Sequence, residues 1–496
     1  MPIIIPGNRL ASTGHTISQS IRFDEATDCY MSRTPSSSGN QRTWTLSMWV
    51  KRSEVTGAET PTYNGLFGTL SPSTANFFLV DFNKNDIFIQ AYTSSSQTIR
   101  VHTNRKFRDV ASWYNIIIVA DTTNASSTER IKIYVNGQRE TDLESNTQPT
   151  QNYDTHINGT SLAQAIGNYQ TDGSTNYTYG GYMTEIVMLD GTAADPSSFG
   201  ETNDNGIWVP KDVSGLTFGT NGFHIDGRDA SDLGDDESGQ GNDYTTVNLA
   251  AHDQVLDSPT NSFCTINPPA DLNSTKNTVS EGNLKSAGSS SSIWHISPCT
   301  HTLPSGKWYF EARLNTASNN SRFAIGLIPT SPMLTANYGN LPSSVVNSSG
   351  FSLQLDSNSQ GLLWYEYSSG SGQYVTISVD TDNVGTIGQF AIDVDNQKIY
   401  AGINGTYYNS SGGGDGNPST GSNPTYSGTS NFSTGPLVPF IGNYSNSCQG
   451  VLNFGQDGTF AGSETAQGNK DASGIGNFKY SVPTGFKAIC TKNLGS

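Results

Sequence analysis

Carboxylates crowd one short stretch of the chain, at Asp226, Asp232, Asp235, Asp236, Glu237 and Asp243. Several oxygens from a compact loop are what a hard divalent cation such as calcium requires. The spacing does not follow the register of an EF-hand loop. Two expectations stay open: a structural calcium held by Asp226, Asp232, Asp235, Asp236 and Asp243, or an acidic turn facing water. His295 and His301 flank Cys299, but an exposed strand or turn is expected for them rather than a metal site. The seven histidines are otherwise dispersed, with none in a metal-like pair. The five cysteines (Cys29, Cys264, Cys299, Cys448 and Cys490) are odd in number and lack a paired CxxC spacing, which points to neither zinc nor a disulfide framework. A single bridge, for example Cys299 to Cys490, stays open.

Aromatic side chains offer a second chemistry, because sugar rings pack their C–H faces on Tyr and Trp while polar neighbours take the hydroxyls. Trp364, Tyr365, Tyr367 and Tyr374 bracket the segment SSGSGQ, and Tyr407 and Tyr408 leave a hairpin. Strand alternation assigns about half of these to a core. Tyr374 and Tyr408 are the exposed candidates for ligand binding, with Trp364 and Tyr367 beside them. The chain carries no GxSxG elbow, no HExxH and no GxxxxGK[ST] phosphate loop.

The elements that must position these groups are short strands, and one pattern is written twice. Ile131 to Arg139 reads IKIYVNGQR and Lys398 to Tyr408 reads KIYAGINGTYY. Each runs alternating apolar residues into Asn-Gly, the pair that most readily takes positive φ at both centres of a type I′ turn. Before each hairpin comes an apolar strand ending in Asp (IIIVAD, FAIDVD), and after each comes Ile-Gly-Asn-Tyr, at Ile166 and again at Ile441. Two modules of similar topology follow. In the first, TWTLSMWVKRS alternates Trp44, Leu46, Met48 and Val50 against Thr45, Ser47 and Lys51, which predicts a half-buried strand. The spacing predicts further strands from Phe77 to Leu189, and a second set from Trp308 to Cys490.

Between the two sets the texture changes. Asp, Asn, Gly and Pro dominate residues 201–291, which read as an irregular connector with a few strands that pad one sandwich, leaving modules at 1–200 and 292–496. Residues 410–434 form a Gly/Ser/Asn/Pro loop, and a loop of that length is usually functional or disordered.

Composition narrows the class. At 496 residues the chain exceeds a single core, and its 34% apolar and 14% charged content fits many short strands joined by polar turns. A formal charge of −17 repels nucleic acid and anionic membrane surfaces. The start MPIIIPGNRL lacks a basic n-region and a long apolar run, so a product made in the cytoplasm without a signal peptide is expected, with no membrane insertion. Its PIIIP segment could dock on another subunit or pair within the first module. No heptad persists over three repeats, so a globular chain is expected.

The first module resembles the laminin G-like and concanavalin A-like family, through SIRFDEATDCYMS, TWTLSMWVKRS, SWY, YVNG and GYMTEIVMLDGTAADPSSFG. The continuation, SGQGNDY and DSPTNSFCTINP, resembles a segment that follows such domains in tailed-phage virion proteins, and no generic structural reason for it is evident in the sequence. The second module is similar to the SPRY family, through GKWYFEARL, AIGL, FAIDVD, KIYAGINGTYY, VLNFGQDGTF and VPTGFKAICTKNL. These resemblances imply an all-β chain of two antiparallel jelly-roll β-sandwiches, and binding of glycans or protein surfaces. Some concanavalin A-like enzymes cleave β-glucans with paired carboxylates on one strand. Their ExDxxE arrangement is absent. Glu185 with Asp190, and Glu311 alone, lack that spacing, and Glu185 is expected at an exposed or rim position. The resemblance therefore implies a non-enzymatic virion protein, a tail fibre or receptor-binding appendage present in several copies, touching other virion proteins and a host glycan or protein. A head decoration or capsid fibre is the alternative, and a polysaccharide depolymerase a second one.

Overall fold

The computed structural model describes residues 14–53, 55, 63–70, 75–168, 177–270, 277–289, 294–316, 322–330, 350–356, 362–368, 371–377, 384–429, 432–433, 435–444 and 448–494. The PIIIP segment lies outside them. The chain divides into two compact units between Asn261 and Ser262.

In the first unit, one sheet runs in the order Gln138–Arg139, Ile131–Val135, Tyr114–Asp121, Thr43–Arg52, Gly181–Asp190, Ser20–Phe23 and Gln254–Val255. The second runs Leu143–Thr147, Ser96–Thr103, Asp86–Thr93, Phe77–Asn83, Tyr63–Leu70, Ala163–Ile166, Tyr30–Arg33 and Thr245–Val247. Trp44, Leu46, Met48, Ile116, Ile118 and Met183 of the first sheet share one apolar core with Phe78, Val80, Ile89, Val101 and Ile166 of the second. Alternation puts every second residue there, which makes the unit a β-sandwich.

The second unit repeats this plan. Lys307–Thr316, Ile387–Asp393 and Lys398–Ile403 are consecutive in one sheet, and His295–Pro298, Leu437–Asn443, Arg322–Pro329, Phe351–Asp356, Leu362–Ser368 and Ser371–Ile377 build the other. Phe310, Ala312, Phe390 and Ile399 meet Phe323, Ile325, Leu353 and Ile441 between them. Among the described residues, pairing is antiparallel save for a short parallel contact between Lys307–Thr316 and Lys487–Ala488.

The duplicated sequence is a duplicated topology. In each unit the Asn-Gly hairpin lies at a sheet edge beside the Asp-ending strand, and the Ile-Gly-Asn strand sits inside the other sheet. Asn136 and Gly137 have φ of 49° and 75°, and Asn404 and Gly405 have 47° and 89°, as a type I′ turn requires. Each asparagine also clasps the start of the neighbouring strand. The Asn136 side chain accepts from Asn115 N–H at 2.8 Å, and Asn404 from Ile387 N–H at 2.9 Å.

A side chain at Gly137 would meet the Trp208 ring at 2.4 Å as well as an unfavourable φ, whereas one at Gly405 would stand 3.1 Å from Tyr480. Gly405→Ala is expected to cost about 1–2 kcal/mol from backbone conformation alone, and Gly137→Ala more, as shifts in the urea midpoints of the full chain.

Two expectations change. The strands of residues 201–291 pad both units and not one: Phe223–Ile225, Thr245–Val247 and Gln254–Val255 pair with the first unit's sheets, while Thr278–Ser280 and Lys285–Ala287 extend a sheet of the second. Thr43–Arg52 is buried on both faces, not one, because Phe199, Val213 and Phe218 pack on the outer side of its sheet with Ile117, Val119, Val187 and Leu189.

The SGQGNDY and DSPTNSFCTINP stretches have structural work after all. Asn242 donates to the carbonyls of Thr220 and Gly222 at 3.0 and 2.7 Å, and Tyr244 enters the core. Asp257, fully buried, accepts from Lys51 Nζ and from Trp113 Nε1, each at 2.8 Å.

Candidate functional site

The acidic stretch folds as a series of turns. Asp236 is buried, and its oxygens accept from the backbone N–H of His224, Ser238 and Asn242 at 2.8, 3.0 and 2.8 Å. Asp243 accepts from Asp236 N–H and Asp232 from Gly234 N–H, both side chains reaching backbone of the same stretch. Asp232, Asp235 and Asp243 are exposed. Burial, and after it the crowding by Asp243, Asp232 and other aspartates, raises the Asp235 pKa. These aspartates do not converge with Asp226 on one point.

Asp226 belongs to another group. Among the described residues, Glu185, His224 and Asp226 bring one ligand atom each within 4.8 Å of one another, all three buried. Glu185 was expected at an exposed or rim position, but it is 6% exposed. The reason is a bulge between Thr184 and Val187, where Glu185 takes a φ of 48° and turns against the 223–225 strand. Its Oε2 lies 2.9 Å from His224 Nε2. Burial acts to lower the His224 pKa, and the hydrogen bond and charge of Glu185, with Asp226, outweigh it and raise it above the ordinary value. The two side chains meet out of contact with water, 7% and 8% exposed. Asp226 is taken up by Arg228, whose N–H and guanidinium reach its two oxygens at 2.8 and 2.6 Å. Asp190, the other carboxylate of that strand, accepts from Asn40 N–H, Asn158 and Asn221 N–H at 2.7, 3.1 and 2.9 Å, and so braces three loops.

In the second unit Tyr408 is not an exposed contact: it is 9% exposed and packs in the core, its N–H bonded to Ala401 O as the chain leaves the hairpin. The register pairs Trp364 with Leu353 and Val375, Tyr365 with Ser352 and Tyr374, and Tyr367 with Gly372. The side chains of Trp364, Tyr367 and Tyr374 lie outside the described residues, as do residues 369–370 of the neighbouring loop.

The loop after Tyr408 is ordered by its own polar groups. Asn409 caps Ser411 and Gly413 N–H at 2.8 and 3.0 Å, and its amide donates to Asp415 Oδ1. Asn423 donates to Asp415 Oδ2 at 3.0 Å, and Lys398 Nζ reaches Gly421 O at 2.8 Å. Ser410, Ser411, Gly414, Asp415, Ser422 and Asn423 remain exposed. Asx-type turns of this kind fix the backbone from Asn409 to Asn423, while further along Tyr426 and Phe432 anchor the loop on Phe351 in the core. Residues 430, 431 and 434 of the loop are outside the described residues.

Buried chemistry also appears where the sequence offered little. Glu311, 0% exposed, accepts from Tyr309 Oη, Tyr480 N–H and Lys479 N–H at 2.8, 2.8 and 2.9 Å. His295 and His301, expected on an exposed strand or turn, are fully buried: His295 opens a strand paired with Leu437–Asn443, and His301 sits beside Thr300 against Cys264. All five cysteines are free and buried. The Cys299 to Cys490 bridge does not form, because Cys299 faces Ile266 across a β-bridge and Cys490 faces Phe263. Burial acts to raise the Cys264 thiol, but Cys299 and His301 outweigh it and hold it low, while burial and the facing Cys264 push Cys299 up.

Against known proteins, the family model described as the concanavalin A-like lectin/glucanases superfamily matches residues 25–193. No curated protein matches the chain. Among solved structures, mouse laminin alpha1 domains LG4-5 align at 8% identity over 99% of this chain and 92% of that one, with a TM-score of 0.29. The SPRY domain of human HERC1 aligns at 13% identity over 38% and 96%, with a TM-score of 0.26. A heptameric SAP-like pentraxin from Limulus polyphemus aligns at 12% identity over 36% and 77%, also at 0.26.

Proposed function

We propose that the chain is a non-enzymatic structural protein on the exterior of a tailed-phage virion, a tail fibre or receptor-binding appendage that contacts a host-surface glycan or protein. The virion placement rests on the resemblance of SGQGNDY and DSPTNSFCTINP, and the observation that supports a contact surface is the loop from Asn409 to Asn423, exposed yet tied down by hydrogen bonds of Asp415 and Lys398. A polar surface ordered before contact loses less entropy on binding than a mobile one. Weak single contacts then gain strength from several copies on one particle. A net charge of −17 disfavours nucleic acid as partner, and among the described residues no helix is long and apolar enough to cross a membrane.

Gold-labelled antibody against the second unit, imaged on intact particles, tests the reading. Label on the tail or its appendages supports it, label over the head moves the protein to a decoration or capsid-fibre role, and unlabelled particles overturn the virion assignment. The loop itself is tested by Asp415→Ala, which removes the acceptor shared by Asn409 and Asn423. Its competition for adsorption is expected to fall roughly tenfold from lost preorganisation, while the urea midpoint stays nearly unchanged, since exposed sites change stability little. Equal competition by variant and parent assigns contact elsewhere.

A further inference from the structure

The outer face of the first unit's second sheet carries a polar group that takes no part in the reading above. Asp86 and His102 stand on the adjacent strands Asp86–Thr93 and Ser96–Thr103, and Glu144 on the edge strand Leu143–Thr147. Glu144 is the extra residue of a bulge: Leu143 pairs with Thr103 and Ser145 with His102, which leaves Glu144 without a position in the ladder. Bulges re-aim side chains in this way. Its carboxylate comes to 3.0 Å from His102 Nδ1, and Asp86 Oδ2 lies 3.3 Å from His102 Nε2.

The group is short of hydrogen bonds. The His102 side chain is 8% exposed and that of Asp86 5%, yet neither ring nitrogen of His102 and not Oδ1 of Asp86 has a hydrogen bond of acceptable geometry. Buried polar atoms are rarely left so, because an unmet donor or acceptor costs about 1–3 kcal/mol. One ligand atom from each of Asp86, His102 and Glu144 lies within 4.8 Å of the others, and a tetrahedral shell with bonds of roughly 2.0–2.2 Å needs them about 3.3–3.6 Å apart, a closure within reach of the exposed Glu144 side chain. The Phe88 ring packs beside the imidazole at 5.0 Å and fixes its plane. Lys106, half exposed, holds the Oδ2 of Asp86 and leaves Oδ1 for another partner. Glu144, 54% exposed on the sheet edge, provides the entry side.

We propose that Asp86, His102 and Glu144 form a binding site for a divalent transition-metal ion of the zinc class. One imidazole and two carboxylates suit zinc or its neighbours better than calcium, which takes oxygen ligands throughout. Three protein ligands leave room for water or an external group.

The test is equilibrium dialysis of the full chain, stripped with a chelator, against zinc and separately against calcium, for the parent, Glu144→Gln and His102→Gln. The parent is expected to bind zinc in preference to calcium. Each variant should weaken one equivalent by at least about tenfold, since even indirect supports of a metal ligand are worth roughly 10–100-fold. Glu144→Gln decides the matter if His102→Gln fails to fold, because Glu144 is exposed and its change leaves the core intact. Zinc retained only by the Glu185, His224 and Asp226 group would leave the Glu144→Gln isotherm on that of the parent. That result, or no zinc uptake by the parent, overturns the site.

Discussion

Asp257→Ala is expected to lower the stability of the first unit by about 3–5 kcal/mol, the cost of breaking a buried ion pair by removing one partner. Lys51 Nζ is 2.8 Å from Asp257 Oδ2, with side chains 1% and 0% exposed. Trp113 Nε1 donates to the other oxygen, and Ser20 Oγ to the Asp257 carbonyl at 2.7 Å. The substitution removes the carboxylate but leaves the ammonium inside, 5.6 Å from the face of the Tyr182 ring. Scanning calorimetry of the full chain should show one transition lowered by roughly 10 °C or more and the other unmoved. The Lys51→Met/Asp257→Asn pair should recover most of the loss, because replacing both ions by neutral groups removes the uncompensated charge. A full loss in the double variant would place the cost in packing rather than charge.

Glu311 is expected to make the second unit less stable as pH rises from about 4.5 to about 7. Burial pushes its carboxyl from 4.5 up to about 7, against the opposing hydrogen bonds of Tyr480 N–H, Lys479 N–H, Tyr309 and Asn453. The folded pKa lies above the unfolded one, so the folded state holds its proton more tightly. The contribution is full below about 4.5 and is lost through the window to about 7, an effect of about 3 kcal/mol. Glu311→Gln should abolish that slope when subtracted from the parent profile. It should also lower stability at every pH by roughly 1–3 kcal/mol, since its amide sets N–H groups against the N–H of Lys479 or Tyr480. An unchanged slope in urea unfolding across this range would show that Glu311 stays ionised.

Glu311 anchors more than itself. Tyr309 Oη donates to it and accepts from Gln389 Nε2 at 3.0 Å, and Gln389 Oε1 accepts from Gly405 N–H at 2.6 Å. The network thus runs from the buried carboxylate to the second Asn-Gly turn. In a low-dielectric interior each member depends on the next. The same hairpin precedes the exposed loop proposed as the contact surface.

The sequence alone determined the two Asn-Gly hairpins and many of the strands around them. Alternation places apolar residues on one face of a strand whatever surrounds it, and Asn-Gly selects its turn from local backbone conformation. Ile131–Val135 and Lys398–Ile403 therefore stand where the pattern put them, and the repeated Asp-ending strand and Ile-Gly-Asn motif occupy matching places in two sandwiches. What lies on the second face of a strand, or beside a side chain distant in sequence, is not local. Residues 201–261 looked like a connector because their apolar residues are sparse, yet Phe218 and Tyr244 pack on the first unit and Asp257 neutralises Lys51 across 206 positions. Glu185 looked exposed because a bulge reverses the alternation that the reading assumed. Tyr408 looked exposed because it follows a turn. His102 showed no partner within its own segment, and only the sheet brought Asp86 from 16 positions before it and Glu144 from 42 after, because strand pairing joins residues by register and not by sequence distance.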